Sequence, residues 1–324
     1  MCLYKSAAAL GREEPPHVIY SYQEQNTYVG WLLAKRFRAL FIKRFFGTWA
    51  YKNWYLRKDL KSKCYAILDF IKWCWPSDLL IVTHDGTHGD KIADLLHIRK
   101  EKFRMWLNGV NKDGSPDEET SVSLRFSLGF SDEHLVLMCL SRLADWKRQD
   151  RVICAMPMIL KDAPHARLVL VGDGPRRKGL ERMVKELELE DYVCFTGMIE
   201  HNKVRDMIGV ADVFLQTNDV SCLGSTLLEA IICGRTVVTW DVGATRDIVI
   251  DGQNGCLMRN AQPETIAQTI IDLAKNPERL KCLASGARKF AREKLLSWED
   301  RMAMEIDLIE SIYTKKIGRE IDHD

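Results

Sequence analysis

Two stretches constrain the fold more than anything else in the chain: "HLVLMCLSRL" (134–143) and "ARLVLVGDGP" (166–175). Each is apolar at successive positions instead of every second one. A strand of that kind is buried on both faces, which is the condition of a parallel sheet covered by helices. The surrounding chain supplies the helices. "GLERMVKELEL" (179–189) places Leu180, Met183, Val184 and Leu187 at helical spacing, and "YVCFTGM", "VFLQTN", "TVVTWDV" and "GCLMR" read as further short strands.

The same alternation begins earlier, from about residue 15. "HVIYSY" (17–22), "ALFIKRFFG" (39–47), "DLLIVTHDG" (78–86) and "FRMWLNGVN" (103–111) read as strands, the last closing on an Asn-Gly turn. "TYVGWLLAKRF" (27–37) and "HGDKIADLLHI" (88–98) read as helices. "NKDGSPDEETS" (111–121), polar with Gly and Pro, is the best linker candidate. The expected organisation is α/β, with two doubly wound Rossmann-like domains facing across a cleft. Residues 1–128 form the first domain, with a linker at about 111–128, and residues 129–296 form the second. A final helix occupies 297–324, opened by Ser297 and Asp300 in "SWED" and running through about Tyr313. The stretch "CLYKSAAALGREEPPHVIY" reads as the tail of a helix feeding a strand, so the first domain opens mid-unit.

Composition narrows the function classes. The net charge of +2 over 324 residues gives no global case for nucleic-acid binding. The ten cysteines are scattered singly, with no Cys-x-x-Cys pair, which favours the cytoplasm over a disulfide scaffold or zinc site. No signal peptide or membrane-spanning run is evident. The segment 31–63 mixes Trp, Phe and Tyr with many Lys and Arg, and Asp59 is its only acid. Amphipathic elements with solvated cations explain it; peripheral contact with the inner face of an anionic membrane is the sharper reading.

Three motifs carry chemistry. "VLVGDGP" (169–175) ends a buried strand in a Gly-rich turn around Gly172, but the third glycine of a dinucleotide fingerprint would fall at Arg177, which disfavours a nicotinamide enzyme. "SRLADWKR" (141–148) presents Arg142 and Lys147 at the carboxyl end of a strand, where open sheets bind ligands and where two cations suit a diphosphate. Taken alone, such a pair is more often a solvated loop. "NDVSCLGSTLLEAIICGRTVVTWDVGA" (218–244) sets Gly224, Ser225 and Thr226 before a helix from Leu227 through Cys233 that Gly234 ends. Its amino end is an anion site. Glu229 projects from the same face one turn on, placed to accept hydrogen bonds from a ribose; a local dipole or salt-bridge role is the alternative.

Together with "FTGMI", "TRDIVIDGQNG" and "SWEDRMAMEI", these motifs resemble, in order and spacing, the C-terminal half of GT-B fold retaining glycosyltransferases of family 4, over about residues 130 to 313. The resemblance implies transfer of a sugar from a nucleotide-diphosphate donor, UDP- or GDP-linked, to a glycan or lipid-linked acceptor, as in polysaccharide biosynthesis, without a metal or other cofactor. It implies that Arg142 and Lys147 hold the donor diphosphate and stabilise its departure, and that Glu229 binds the ribose. It also implies that Gly172, Ser221, Gly224, Ser225 and Thr226 line the donor site and that Thr196, Gly197 and Met198 line the base pocket. The last helix packs back on the first domain in such enzymes.

The first domain resembles the family more loosely, in "PHVIYSY", "FFGTW" (45–49), "IVTHDGTHGD" and "WLNGVN", which places Gly47 and His84 on the acceptor side. Ser221 stands where the family commonly has the first of two glutamates, with Asp219 nearby as a substitute, and Phe46 stands where a histidine is expected, with His84 or His88 as replacements. The His-Asp-Gly-Thr-His cluster also invites a metal reading, but its spacing fits no site type. The family also carries further strand–helix units ahead of the "PHVIY" strand, so by this resemblance the first domain is expected to lack its first strands, through truncation or a smaller design. These departures leave a second expectation: a catalytically impaired nucleotide-binding or scaffold relic.

Overall fold

The computed structural model describes residues 14–48, 50–112, 116–220 and 223–321. The chain divides into two compact units: residues up to Gly109 together with Trp298 onward, and Val110–Ser297.

The first unit is built on β1 (Val18–Tyr22), β2 (Leu40–Phe45), β3 (Leu79–Thr83) and β4 (Phe103–Trp106), all parallel and in that order across the sheet. A monotone order with right-handed crossovers sends every connecting helix to one face. These are α1 (Thr27–Phe37), α2 (Leu60–Cys74) and α3 (Gly89–Leu95). Phe45, Leu80 and Val82 meet Trp73 of α2 and Ile92 of α3 on that face. Gly30 of α1 lies so close to Phe41 that a Cβ would sit 2.7 Å from its ring, so the helix closes on the sheet only because the residue is glycine. The opposite face is covered by the final helix, Trp298–Ile321, whose Leu308, Ile309, Ile312 and Tyr313 pack on Leu40, Ile42, Leu79 and Ile81. That helix runs well past the expected end at Tyr313. The expected helix tail before "PPHVIY" falls largely outside the described residues.

The second unit carries β5 (Leu135–Leu140), β6 (Ala166–Val171), β7 (Val193–Gly197), β8 (Val213–Gln216), β9 (Thr236–Trp240) and β10 (Gly255–Met258). All pair in parallel, in the order β10-β9-β8-β5-β6-β7. Its helices are α4 (Glu118–Ser127), α5 (Gln149–Asp162), α6 (Arg177–Glu186), α7 (Val204–Val210), α8 (Ser225–Ile232), α9 (Thr245–Ile248), α10 (Pro263–Ala274) and α11 (Pro277–Lys294). Strand alternation divides the core. Leu135, Leu137 and Cys139 face α5, α6 and α10, while Val136 and Met138 face α7 and the partly buried Leu124 of α4. The strand order reverses between β5 and β8, so the crevice at their carboxyl ends is the topological switch point.

Residues 118–127, placed within the linker by composition, are helix α4 and part of the second unit's packing. Asp117 caps it by accepting from the Thr120 amide. Arg125 ties it down through Asp212 Oδ2 at 3.2 Å and the Val210 carbonyl at 2.9 Å. Gly209 of α7 makes room, since a Cβ there would sit 2.0 Å from Ser121 Oγ. The segment reads as a linker because only one narrow face is buried and most of the remaining positions are polar.

Candidate functional site

The crevice at the switch point is lined by Ser141 at the end of β5, by Gln216, Thr217 and Asn218 at the end of β8, and by Lys147, Gln149 and Thr226. Lys147 and the tip of α8, distant in sequence, therefore share one depression. Among the lining residues there is no carboxylate.

The loop carrying Arg142 is stitched to the Gly-rich turn after β6. Ser141 N donates to Val171 O at 3.0 Å, Leu143 N to Asp173 O at 2.9 Å, and Arg176 N to Leu143 O at 3.1 Å. Gly172 (φ +126) and Gly174 (φ +157) permit this approach: a Cβ would meet Ser141 O at 2.2 Å at the first and Leu143 O at 2.3 Å at the second. From below, the buried Gln149 amide donates to Ser141 Oγ at 2.9 Å and Arg142 O at 3.2 Å. Arg142 itself is exposed on this loop and is not among the residues lining the crevice. Gly172 N donates to Gly197 O at 2.8 Å, which brings the Thr196–Met198 segment beside the same turn. Thr196 Oγ1 donates to Gly197 O, and Met198 is 81% exposed.

Lys147 ends a short helical turn, with Nζ 4.2 Å from the centroid of the Trp146 ring. The strand-end segment after β8 holds this turn. Thr217 Oγ1 donates to Lys147 O at 3.3 Å and Arg148 O at 2.9 Å, and Asp219 N donates to Trp146 O at 2.9 Å. The Asp219 carboxylate is engaged by Arg151 at 2.8 Å and Arg148 at 3.3 Å. Asp219 is thus a clamp on the Lys147 turn, and its charge is already neutralised. That argues against its serving as the substitute for the missing glutamate.

Helix α8 starts at Ser225, two residues earlier than the apolar pattern suggests, with Gly224 at its N-cap in extended conformation and no side chain capping it. Neither Ser225 nor Thr226 spends its hydroxyl on the helix end; Leu227 N donates to Gly224 O at 3.1 Å, and the Ser225 and Thr226 amides are left for a ligand or water. Ser221 lies outside the described residues. Gly234 (φ +64) ends the helix as expected. Glu229 is half-buried, and among the described residues its carboxylate makes no hydrogen bond or ion pair. Burial pushes its pKa above the ordinary carboxylate value, while His201 and Arg205 pull the other way. The salt-bridge alternative finds no close partner among the described residues.

Sequence reasoning missed Gln149, Gln216 and Asn218. Their signal was present: polar amides inside or just after apolar strand and helix starts, as in "VFLQTN".

In the first unit, Gly47 (φ +76) follows β2, and the Asp85 carboxylate packs where its Cβ would be, 2.0 Å away for Oδ2. Asp85 accepts from Thr87 N at 3.0 Å and from Thr87 Oγ1 at 2.6 Å, and Thr87 Oγ1 accepts from Thr48 N at 2.7 Å. The loops after β2 and β3 are therefore one hydrogen-bonded assembly. His84 is half-buried beside it, its amide donating to Trp106 O at 2.7 Å. Phe46 is 41% exposed and packs on Tyr22 with ring centroids 4.6 Å apart. Of the cations in 31–63, Lys43 and Arg44 are buried, so the basic surface suggested by that stretch is smaller than its composition implies.

Two Rossmann-like units with parallel sheets define the GT-B architecture of glycosyltransferases. The chain matches the family Glycosyl transferases group 1 over residues 122–290, more than half its length, and belongs to that family. It is similar to a GDP-mannose-dependent alpha-(1-6)-phosphatidylinositol monomannoside mannosyltransferase of Mycolicibacterium smegmatis, 31% identical over 209 residues, covering 62% of this chain and 54% of that protein. It is also similar to an uncharacterized glycosyltransferase of Methanocaldococcus jannaschii, 26% identical over 242 residues, covering 74% and 61%. The chain thus spans between about half and three fifths of the length of these curated relatives. In fold it matches Alr3699/HepE of Anabaena in complex with UDP-glucose, with a TM-score of 0.77 at 20% identity, covering 96% of this chain and 82% of that one.

Proposed function

We propose that the chain is a retaining glycosyltransferase of family 4, transferring a sugar from a UDP- or GDP-linked donor to a glycan or lipid-linked acceptor. The observation that carries this is that Lys147 and the uncapped tip of α8 line one crevice at the switch point. Breaking the glycosidic bond pushes negative charge onto the departing diphosphate. Lys147 and the α8 amides oppose that charge from the crevice, and Arg142 reaches it from the neighbouring loop. Glu229, one turn along α8, accepts hydrogen bonds from the ribose hydroxyls. Thr196, Gly197 and Met198, beside the Gly172 turn, border the base. Gly47 and His84 belong to the acceptor side. A lipid-linked acceptor is supported by the name of the mycobacterial relative.

Peripheral membrane contact belongs to the same reading. It is supported by Leu60, Ile67, Leu68 and Ile71, which are 47–79% exposed on α2, beside Lys58, Lys61 and Lys63. Co-sedimentation with phosphatidylserine vesicles tests it; equal recovery of protein with and without vesicles ends it.

The central test is release of nucleoside diphosphate from UDP-glucose and GDP-mannose. A charge-assisted hydrogen bond contributes about 1.5–3 kcal/mol, so Lys147→Ala and Arg142→Ala are each expected to slow release at least about tenfold. Undiminished release by the double variant removes the proposal, and binding of nucleotide without turnover favours the relic.

A further inference from the structure

Two side chains in the crevice have unusual environments. Gln216 and Asn218 are 7% and 3% exposed, yet Gln216 Nε2 and Asn218 Nδ2 have no hydrogen-bond partner. Exchanging the oxygen and nitrogen of either amide supplies no partner among the described residues, and either way one polar end of each side chain stays buried and unpaired. Proteins rarely leave a buried polar group unpaired, since its lost hydration is not recovered. Gln149, the third amide of the crevice, shows the ordinary outcome: its donors are used on Ser141 and Arg142.

We propose that Gln216 and Asn218 bind the donor's diphosphate, donating their side-chain amide hydrogens to its oxygens. This rests on the donor-site reading above and adds to it two residues that the glycosyltransferase resemblance does not supply. Their position favours an anion. They lie at the carboxyl end of β8 at the switch point, in the same lining as Lys147 and Thr226 at the tip of α8. All four present donors, and Asp219, the nearest acid in sequence, is neutralised by Arg148 and Arg151. A cluster of donors with no carboxylate among them matches a group rich in acceptor oxygens and carrying negative charge.

Calorimetry with UDP and GDP, and with UMP and GMP as shorter controls, tests the assignment on Gln216→Met, Asn218→Leu and the double variant. For whichever diphosphate the parent binds, each single change is expected to weaken affinity about tenfold and the pair about a hundredfold, with a smaller loss for the monophosphate. The ligand-free melting temperature is expected to stay level or rise, because a buried unpaired donor has been removed. A purely structural role gives the opposite pattern, lowered melting with unchanged affinity, and overturns the proposal. Gln216→Glu keeps the shape and adds a charge that repels phosphate, so its loss must exceed that of Gln216→Met; equal losses overturn the proposal even where the double variant does not fold. A parent that binds neither UDP nor GDP refutes the donor reading and this assignment together. A parent that binds alongside variants that bind equally refutes only the amides.

Discussion

Arg301 lies one turn before Glu305 on the final helix, with its Nη2 2.8 Å from Glu305 Oε2 and both side chains 2% exposed. Arg44 of β2 approaches the same oxygen at 3.7 Å, and the Tyr20 hydroxyl of β1 donates to Oε1. Arg44 also donates to Asn108 Oδ1 at 3.2 Å, and the Arg301 guanidinium stacks 4.3 Å from the Trp106 ring centroid. One carboxylate thus serves two buried guanidiniums and a phenol. Removing it leaves those charges without compensation, so Glu305→Gln is expected to destabilise the protein by about 3–5 kcal/mol, read from urea denaturation. A loss under about 1 kcal/mol contradicts the hub role.

Lys43, on the other face of β2, is 1% exposed and donates to the carbonyls of Lys72, Trp73 and Trp75 at 3.1, 2.8 and 2.7 Å. It closes the carboxyl end of α2, whose last carbonyls have no intrahelical partner. Burial pushes its pKa down to about 7, and the neighbouring Cys74 works against that. Lys43→Met keeps the volume but strands those oxygens. Its expected cost is about 1–3 kcal/mol, with faster amide exchange confined first to residues 70–75.

Gly172 holds a backbone conformation that L-residues avoid, with a carbonyl where its Cβ would be. Gly172→Ala is therefore expected to cost roughly 2 kcal/mol or more and to displace the Arg142 loop. Melting temperature and nucleotide affinity should fall together. An alanine variant as stable as the parent contradicts the close approach.

The pH dependence of Glu229 runs opposite to that of a salt-bridged acid. Its raised pKa means that the folded chain holds a proton over an interval where the unfolded chain has released it. Stability therefore falls as pH rises from the ordinary glutamate value through the raised one. Glu229→Gln should flatten that slope and stabilise the ligand-free protein at neutral pH. Ribose recognition needs the carboxylate, so nucleotide affinity in the parent should weaken as pH falls through the raised pKa, and the Gln variant should lose that dependence. A parallel pH profile in both proteins argues against the assignment.

What could be read from the chain alone was whatever depends on near neighbours. Uninterrupted apolar runs announced β5 and β6, helical spacing announced α6, and the glycines at 172 and 234 marked where backbone must turn or approach closely. Lys147 and the start of α8 were recognisable because the residues after a parallel strand fall at the ligand-binding edge whatever the rest of the sheet does. Tertiary structure decided the fate of the polar groups. Lys43 and Arg44 read as solvated cations until the end of α2 and Glu305 close over them. Asp219 read as a spare carboxylate until two arginines claim it, and α4 read as a linker until α7 gives it a surface. Gln216 and Asn218 read only as amides at the end of an apolar strand until their burial without partners is visible. The reason is physical. Apolar periodicity is written along the chain, whereas the cost of burying a charge or an amide depends on partners that only the folded chain brings near.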